Sequence, residues 1–276
     1  MDFMFLPDWL VAHRHELLTV AVFASFFGIG LAEVLVPRRR HGADFGTRWG
    51  AHIGIVICNL ALIELTIGDA TFRATTVDAW LPITAVIGDN PVAGIVAGIL
   101  VADFLRYWIH RVNHFVPWLW RLHALHHSDP TPDVTTSFRQ HPIEHLLLTA
   151  TVWVAHLVFG VSAASLVVYG MISGLMSPLQ HANLALPRGF QTVMGWVLVT
   201  NALHLSHHST DRRDGNANFG IVFTFWDRLF GTYRAPISVL DGSVRYGVDE
   251  IPAARAGSFI AMLTLPWRAW RTTDAR

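Results

Sequence analysis

Long apolar stretches restrict what this chain can become more than any other feature of it. Crossing the hydrocarbon of a bilayer takes about 20 apolar residues, and residues 17–36, 51–67 and 91–109 each supply such a run. A fourth stretch, residues 146–179, is too long for one crossing and is broken at Gly160-Val161-Ser162, the pattern of a helical hairpin that enters and returns. Lipid offers backbone groups no hydrogen-bond partner, so runs of this composition are helical. Only 14% of the residues are charged, against roughly 25% in soluble domains. The predicted fold class is an all-α, multi-pass membrane helical bundle of about four spans including a helical hairpin, with a cytoplasmic histidine-rich cap.

Pro37-Arg38-Arg39-Arg40 follows the first stretch, and arginines at a helix end mark the cytoplasmic side. Residues 51–67 then cross outward to a short loop with Asp69, Arg73 and Asp78, and residues 91–109 return. The hairpin goes out and comes back, so the chain beyond it lies on the same side as His110. Residues 1–276 read as a single membrane-embedded domain, with N-terminal spans in 1–90, a catalytic region in 91–235 and a cytoplasmic or interfacial tail in 236–276. In that tail, Phe259 to Leu265 with Trp267, Arg268, Trp270 and Arg271 reads as an interfacial segment, a packing helix being the alternative. The start of the chain is too mixed for a cleavable signal peptide.

Zero net charge without a basic patch excludes nucleic acid as a partner. The single cysteine, Cys58, excludes an intramolecular disulfide and a cysteine-ligated zinc or iron–sulfur site. Arginine is the basic residue throughout, with no lysine, which suggests a GC-rich bacterial gene and hence a bacterial inner membrane.

Against this apolar background stand three tight groups of histidine: His110 and His114; His123, His126 and His127; His204, His207 and His208. Residues three and four apart share one helix face, about 5–6 Å apart at Cβ, so each group aims its nitrogens in one direction. Adjacent His126 and His127 differ by roughly 100° around the axis, so one can face each of two metal ions. Burying so many imidazoles without a shared ligand would cost about 1–3 kcal/mol for each unsatisfied group. These eight are the predicted catalytic and metal-binding residues. His141 and His181, which emerge at the same ends of the hairpin helices, are added as metal ligands. Lone His13, His15, His41, His52 and His156, together with His145, read as structural. Asp103, Asp129, Asp133, Glu144, Asp211 and Asp227 could orient imidazoles from behind. Helix caps and arginine pairs, Asp103 with Arg106 and Asp227 with Arg228 or Arg212, are the plainer roles for them.

The boxes Tyr107-Trp108-Ile109-His110-Arg111, His123-Ala124-Leu125-His126-His127-Ser128, Arg139-Gln140-His141-Pro142-Ile143-Glu144 and His204-Leu205-Ser206-His207-His208 carry a resemblance. With Asn218-Phe219-Gly220 and Trp226-Asp227-Arg228-Leu229-Phe230-Gly231-Thr232, they make residues 107–233 similar to the fatty acid hydroxylase and sterol desaturase superfamily. That resemblance implies two irons (Fe2+/Fe3+), O2 as co-substrate, and oxygen insertion into, or hydrogen removal from, a lipid C–H bond. The first box has three intervening residues where some members have four. The segment from Gln180 to Asn183 holds one histidine where some have two, leaving Asn183 or a water to fill the place.

The expected function is hydroxylation of a lipid or sterol-like substrate taken from the bilayer; hairpin residues such as Trp153 and Phe159 could line its path, packing against lipid being the plainer role for them. The alternative on the same site is desaturation. No electron-carrier domain fits the short stretch after Tyr233, so a separate ferredoxin or cytochrome-type donor is expected. A metal carrier or sensor is the competing class, but carriers place ligands near the middle of their spans. Paired axial ligation of a haem does not explain the adjacent histidines.

Overall fold

A computed structural model gives the structure of the protein and describes residues 6–40, 45–66, 79–88, 90–252 and 257–268. His41, Ile67, Asp69, Arg73, Asp78, Trp270 and Arg271 lie outside the described residues. The elements are helical: α1 Leu6–Ala12, α2 Arg14–Leu35, α3 Phe45–Thr66, α4 Thr84–Ile87, α5 Pro91–Phe115 and α6 Pro117–His127. After a 3-10 turn at Val134–Phe138 come α7 Pro142–Phe159, α8 Ala163–His181, α9 Arg188–Met194 and α10 Asn201–His207. Short helices α11 Arg212–Gly215, α12 Phe225–Leu229, α13 Ile237–Asp241 and α14 Phe259–Thr264, with a 3-10 turn at Leu265–Trp267, complete the described residues. Among the described residues, α2, α5, α7 and α8 are long and apolar enough to cross a membrane.

The sequence sets these boundaries locally. Asn90 accepts the amides of Val92 and Ala93 at 3.0 Å, and Pro91 opens α5 where an amide would have no partner. Val116 is extended (ψ 115°) and Pro117 restarts the helix, so α5 and α6 meet at a bend that turns the histidines of one towards those of the other. Gly160, left-handed at φ 65°, ends α7, and Ser162 caps α8 by accepting the amide of Ser165. The hairpin therefore forms where Gly160-Val161-Ser162 placed it.

Helices α2, α5 and α8 pack through small residues. A Cβ at Gly170 of α8 would stand 2.7 Å from Leu18, and one at Gly98 of α5 would stand 2.5 Å from Ser165. Such positions let backbones approach in lipid, where van der Waals contact drives association. Outward, Val20, Phe23, Phe27 and Leu31 form an exposed apolar stripe on α2, the face a bilayer would cover.

The helix ends that carry the clustered histidines lie together. Glu33, at the end of α2, accepts the amides of Val134 and Asn183, both at 2.9 Å. Arg38 reaches the carbonyls of Leu184 and Val239, and Arg39 that of Pro132. The arginines after α2 are thus built into the cap. Helix α5 runs beyond Ile109 to Phe115, so His110 and His114 belong to the long helix itself. The tail is a packing element: Met262 and Leu265 are buried beside Ala51, Ile55, Trp120 and Leu125, while Ile260 and Trp267 remain exposed. Phe159 packs at the hairpin turn with Val161 and Ile83, at the opposite end of α7 from Glu144, which bonds His123.

Candidate metal centre

Nine histidines converge from α5, α6, α8 and α10 into two adjoining groups. His110, His114, His123, His127 and His207 form one, and His126, His181, His204 and His208 the other. Within each group the candidate ligand atoms lie within 4.8 Å of one another. Neighbours in sequence part company: His126 and His127 go to different groups, as do His207 and His208. The rings of His127 and His208 stack across the boundary at 4.3 Å. None of the nine is more than 5% exposed.

The hydrogen bonds behind the rings fix which nitrogen faces inward. His110 Nδ1 donates to the Phe219 carbonyl at 2.8 Å and His207 Nδ1 to that of Ala217 at 2.7 Å. A carbonyl only accepts, so the proton of each neutral ring sits on Nδ1 and Nε2 presents a lone pair. Those two Nε2 atoms face each other at 3.0 Å. His181 Nδ1 donates to the Ser177 carbonyl at 2.7 Å, turning its Nε2 towards those of His126 (3.1 Å) and His204 (2.9 Å). His123 Nδ1 bonds Glu144 Oε1 at 2.6 Å, and its Nε2 lies 3.1 Å from that of His127. Two opposed lone pairs repel unless a cation lies between them, so the donor set fits metal ions.

Charge points the same way. Burial first, then the charges of neighbouring histidines, push His126, His127, His204 and His208 well below the ordinary histidine value. Neutral imidazole is the form that binds metal.

Residues 95–232, half of the chain, match the fatty acid hydroxylase family. The chain belongs to that family. Ornithine lipid hydroxylase OlsE of Rhizobium tropici is 32% identical over 142 residues, which cover 51% of this chain and 42% of that protein. Alkylglycerol monooxygenase of Caenorhabditis elegans is 29% identical over 133 residues, 48% of this chain and 25% of that protein. Sphingolipid C4-hydroxylase sur2 of Schizosaccharomyces pombe is 29% identical over 140 residues, 50% of this chain and 47% of that protein. The chain therefore spans less than half the length of these relatives. No solved structure matches it.

Within this fatty acid hydroxylase domain the structure assembles the eight clustered histidines and His181, and leaves His141 out. His141 caps α7: its Nδ1 accepts the Ile143 amide at 3.2 Å and its Nε2 bonds the Leu263 carbonyl. Asn183 does not fill a ligand place either, because its side chain is engaged by Arg39. His145 bonds Gln140, His52 bonds Thr135 and Arg139, and His156 bonds the Val161 carbonyl. His13 bonds the Trp9 carbonyl and stacks on its ring, while His15 is exposed.

The carboxylates divide. Glu144 does stand behind a histidine, Asp129 and Asp133 pair with Arg48, and Asp211 caps α11. The anticipated arginine pairs of Asp103 and Asp227 give way to backbone amides of the loop 219–223, which local sequence offered no way to foresee. Arg139, fully buried, was missed as anything but part of a motif. It donates to the Leu125 carbonyl at 2.7 Å and to Ser128 Oγ at 2.7 Å, clamping the end of the helix that carries three ligands.

Proposed function

We propose that the protein is an integral membrane oxidoreductase that hydroxylates a lipid or other hydrophobic substrate at a C–H bond, using O2, two irons and an external electron donor. The opposed Nε2 lone pairs of His110 and His207, 3.0 Å apart, are the observation that carries the reading. All nine histidines would hold the irons, His110, His114, His123, His127 and His207 one and His126, His181, His204 and His208 the other. Irons bound there supply reductive activation of O2, in which substrate, O2, two electrons and two protons yield alcohol and water. That histidine-rich donor set, with the Glu144 carboxylate behind His123, differs from the glutamate-rich sites of soluble di-iron bundles.

The chain's own contribution is placement and seclusion. Carbonyls of Phe219, Ala217 and Ser177 and the Glu144 carboxylate orient four rings with their lone pairs inward. Burial of every ring keeps bulk water from the reacting C–H bond. The site stands at one end of the apolar helices, so a lipid can reach it from the bilayer. Hydroxylation is favoured over desaturation because the relatives are named as hydroxylases and a monooxygenase. We place the site on the cytoplasmic side of a bacterial inner membrane, where a ferredoxin or cytochrome-type donor would deliver electrons.

Lipid extracts of cells expressing the chain under 18O2, compared with cells expressing a His207→Ala variant, test this. The expected product carries one heavy oxygen and disappears with the variant. An alkene as the sole new product would replace hydroxylase by desaturase, and no new lipid in cells with an active reductase system would sink the activity.

A further inference from the structure

The two histidine groups are supported unequally from behind. Residues 217–223 form a loop whose carbonyls at Ala217 and Phe219 accept the Nδ1 protons of His207 and His110. Two buried carboxylates pin that loop. Asp227 accepts the amides of Phe219 and Gly220, both at 2.8 Å, and Asp103 accepts those of Val222 at 3.0 Å and Phe223 at 3.2 Å. Tyr169, Trp226 and Thr232 then donate to the same carboxylates. Asn218 takes a left-handed φ of 58° and is held through Ser206 and Arg234. Gly220 leaves no room for a side chain, since a Cβ would lie 2.6 Å from the Phe223 carbonyl oxygen and 2.8 Å from Val199.

With Glu144 behind His123, three rings of the five-histidine group are fixed from outside by other elements. In the four-histidine group, His181 bonds the Ser177 carbonyl of its own helix. For His126, His204 and His208, no described residue hydrogen-bonds Nδ1. We propose that the pinned loop is a positioning device that makes the five-histidine group the tighter of two metal positions and leaves the four-histidine group the one that exchanges. Asp227 and Asp103 act through the loop carbonyls, so they are positioning residues. This rests on the metal centre proposed above. Losing one such outer partner costs about 10–100-fold in metal affinity.

The test is a chelator series on the full chain, purified in detergent and loaded with Zn2+, with retained zinc per chain and the thermal midpoint read together. The parent is expected to release zinc in two steps, the second at a chelator concentration at least about tenfold higher. Asp227→Asn presents one acceptor oxygen where two amides need two. It should bring the resistant step down by about tenfold and leave the labile step in place. Glu144→Gln, which acts on the same group from α7, should do the same, and Asp103→Asn, which likewise leaves one acceptor oxygen for two loop amides, decides the loop's part if Asp227→Asn fails to fold. His204→Ala should remove the labile step alone. Release in a single step by the parent, or equal shifts of both steps in Asp227→Asn and Glu144→Gln, would overturn the inequality while leaving the metal centre standing. A folded parent that retains no zinc would overturn both.

Discussion

Replacing Arg139 by methionine tests whether the histidine-bearing end of α6 is held by a buried ionic network. The guanidinium has no exposure and binds the Leu125 carbonyl, Ser128 Oγ and His52 Nε2. Burial draws Arg139 down to about 10, so it remains a cation at neutral pH. Its counter-charge is Asp129, also fully buried, which Arg48 contacts at 2.8 Å. Methionine keeps most of the stem's volume, so the loss is chiefly electrostatic. Removing one partner from a buried charged network costs about 3–5 kcal/mol. At about 2–4 °C per kcal/mol for chains somewhat shorter than this one, the thermal midpoint in detergent should fall by roughly 10 °C. Adding Asp129→Asn should restore part of that fall, because Asp129 and Asp133 would otherwise share Arg48 as their counter-charge and the excess negative charge is then gone, with a coupling of about 1 kcal/mol or more. A fall below about 3 °C, or strict additivity of the two changes, would refute the reasoning.

Gly98→Val should lower the midpoint by the equivalent of about 1–3 kcal/mol, since its Cβ meets Ser165 at 2.5 Å, while Gly94→Ala, with nothing within 4 Å, should not; equal falls would refute the packing. His141→Ala should keep the metal content of the parent and cost about 1 kcal/mol of stability as a lost cap, whereas His181→Ala should lose metal; the reverse pattern would restore His141 as a ligand. Burial raises Asp129, but Arg48 foremost and then Arg139 override this and hold it well below the carboxylate range. A depressed folded value contributes stability above the unfolded value of about 4 that is lost as pH falls towards the folded one. Between about pH 6 and about pH 3 the midpoint of Asp129→Asn should therefore fall less than that of the parent, and parallel curves would contradict this.

Helices and their ends could be read directly because their causes are local. Pro91, Pro117 and Pro142 each stand at a first helical position, and Gly160 supplies the left-handed stop. Spacing of four brought His123 and His127, or His204 and His208, into one group, whereas the partners three apart, His123 and His126 or His204 and His207, went to different groups, and the angle between neighbours sent His126 and His127 apart. His141 misled because it shares the right end of the hairpin. At an N-cap, however, bonding to the amide two residues on takes the very lone pair a metal would need. Partners distant in sequence could not be read: Asp103 meets amides some 120 positions away, and Arg48 meets Asp129 across 81. An acid inside an apolar stretch was the available signal at Asp103, but it names no partner.

The most direct test of the central claim is the metal content per chain of the full protein purified in detergent from iron-supplemented cells, beside a His126→Ala, His207→Ala variant that removes one ligand from each group. Two irons in the parent, one for each histidine group, and their loss from the folded variant are expected. A well-folded parent with no bound metal, or a variant that keeps both ions, would contradict it.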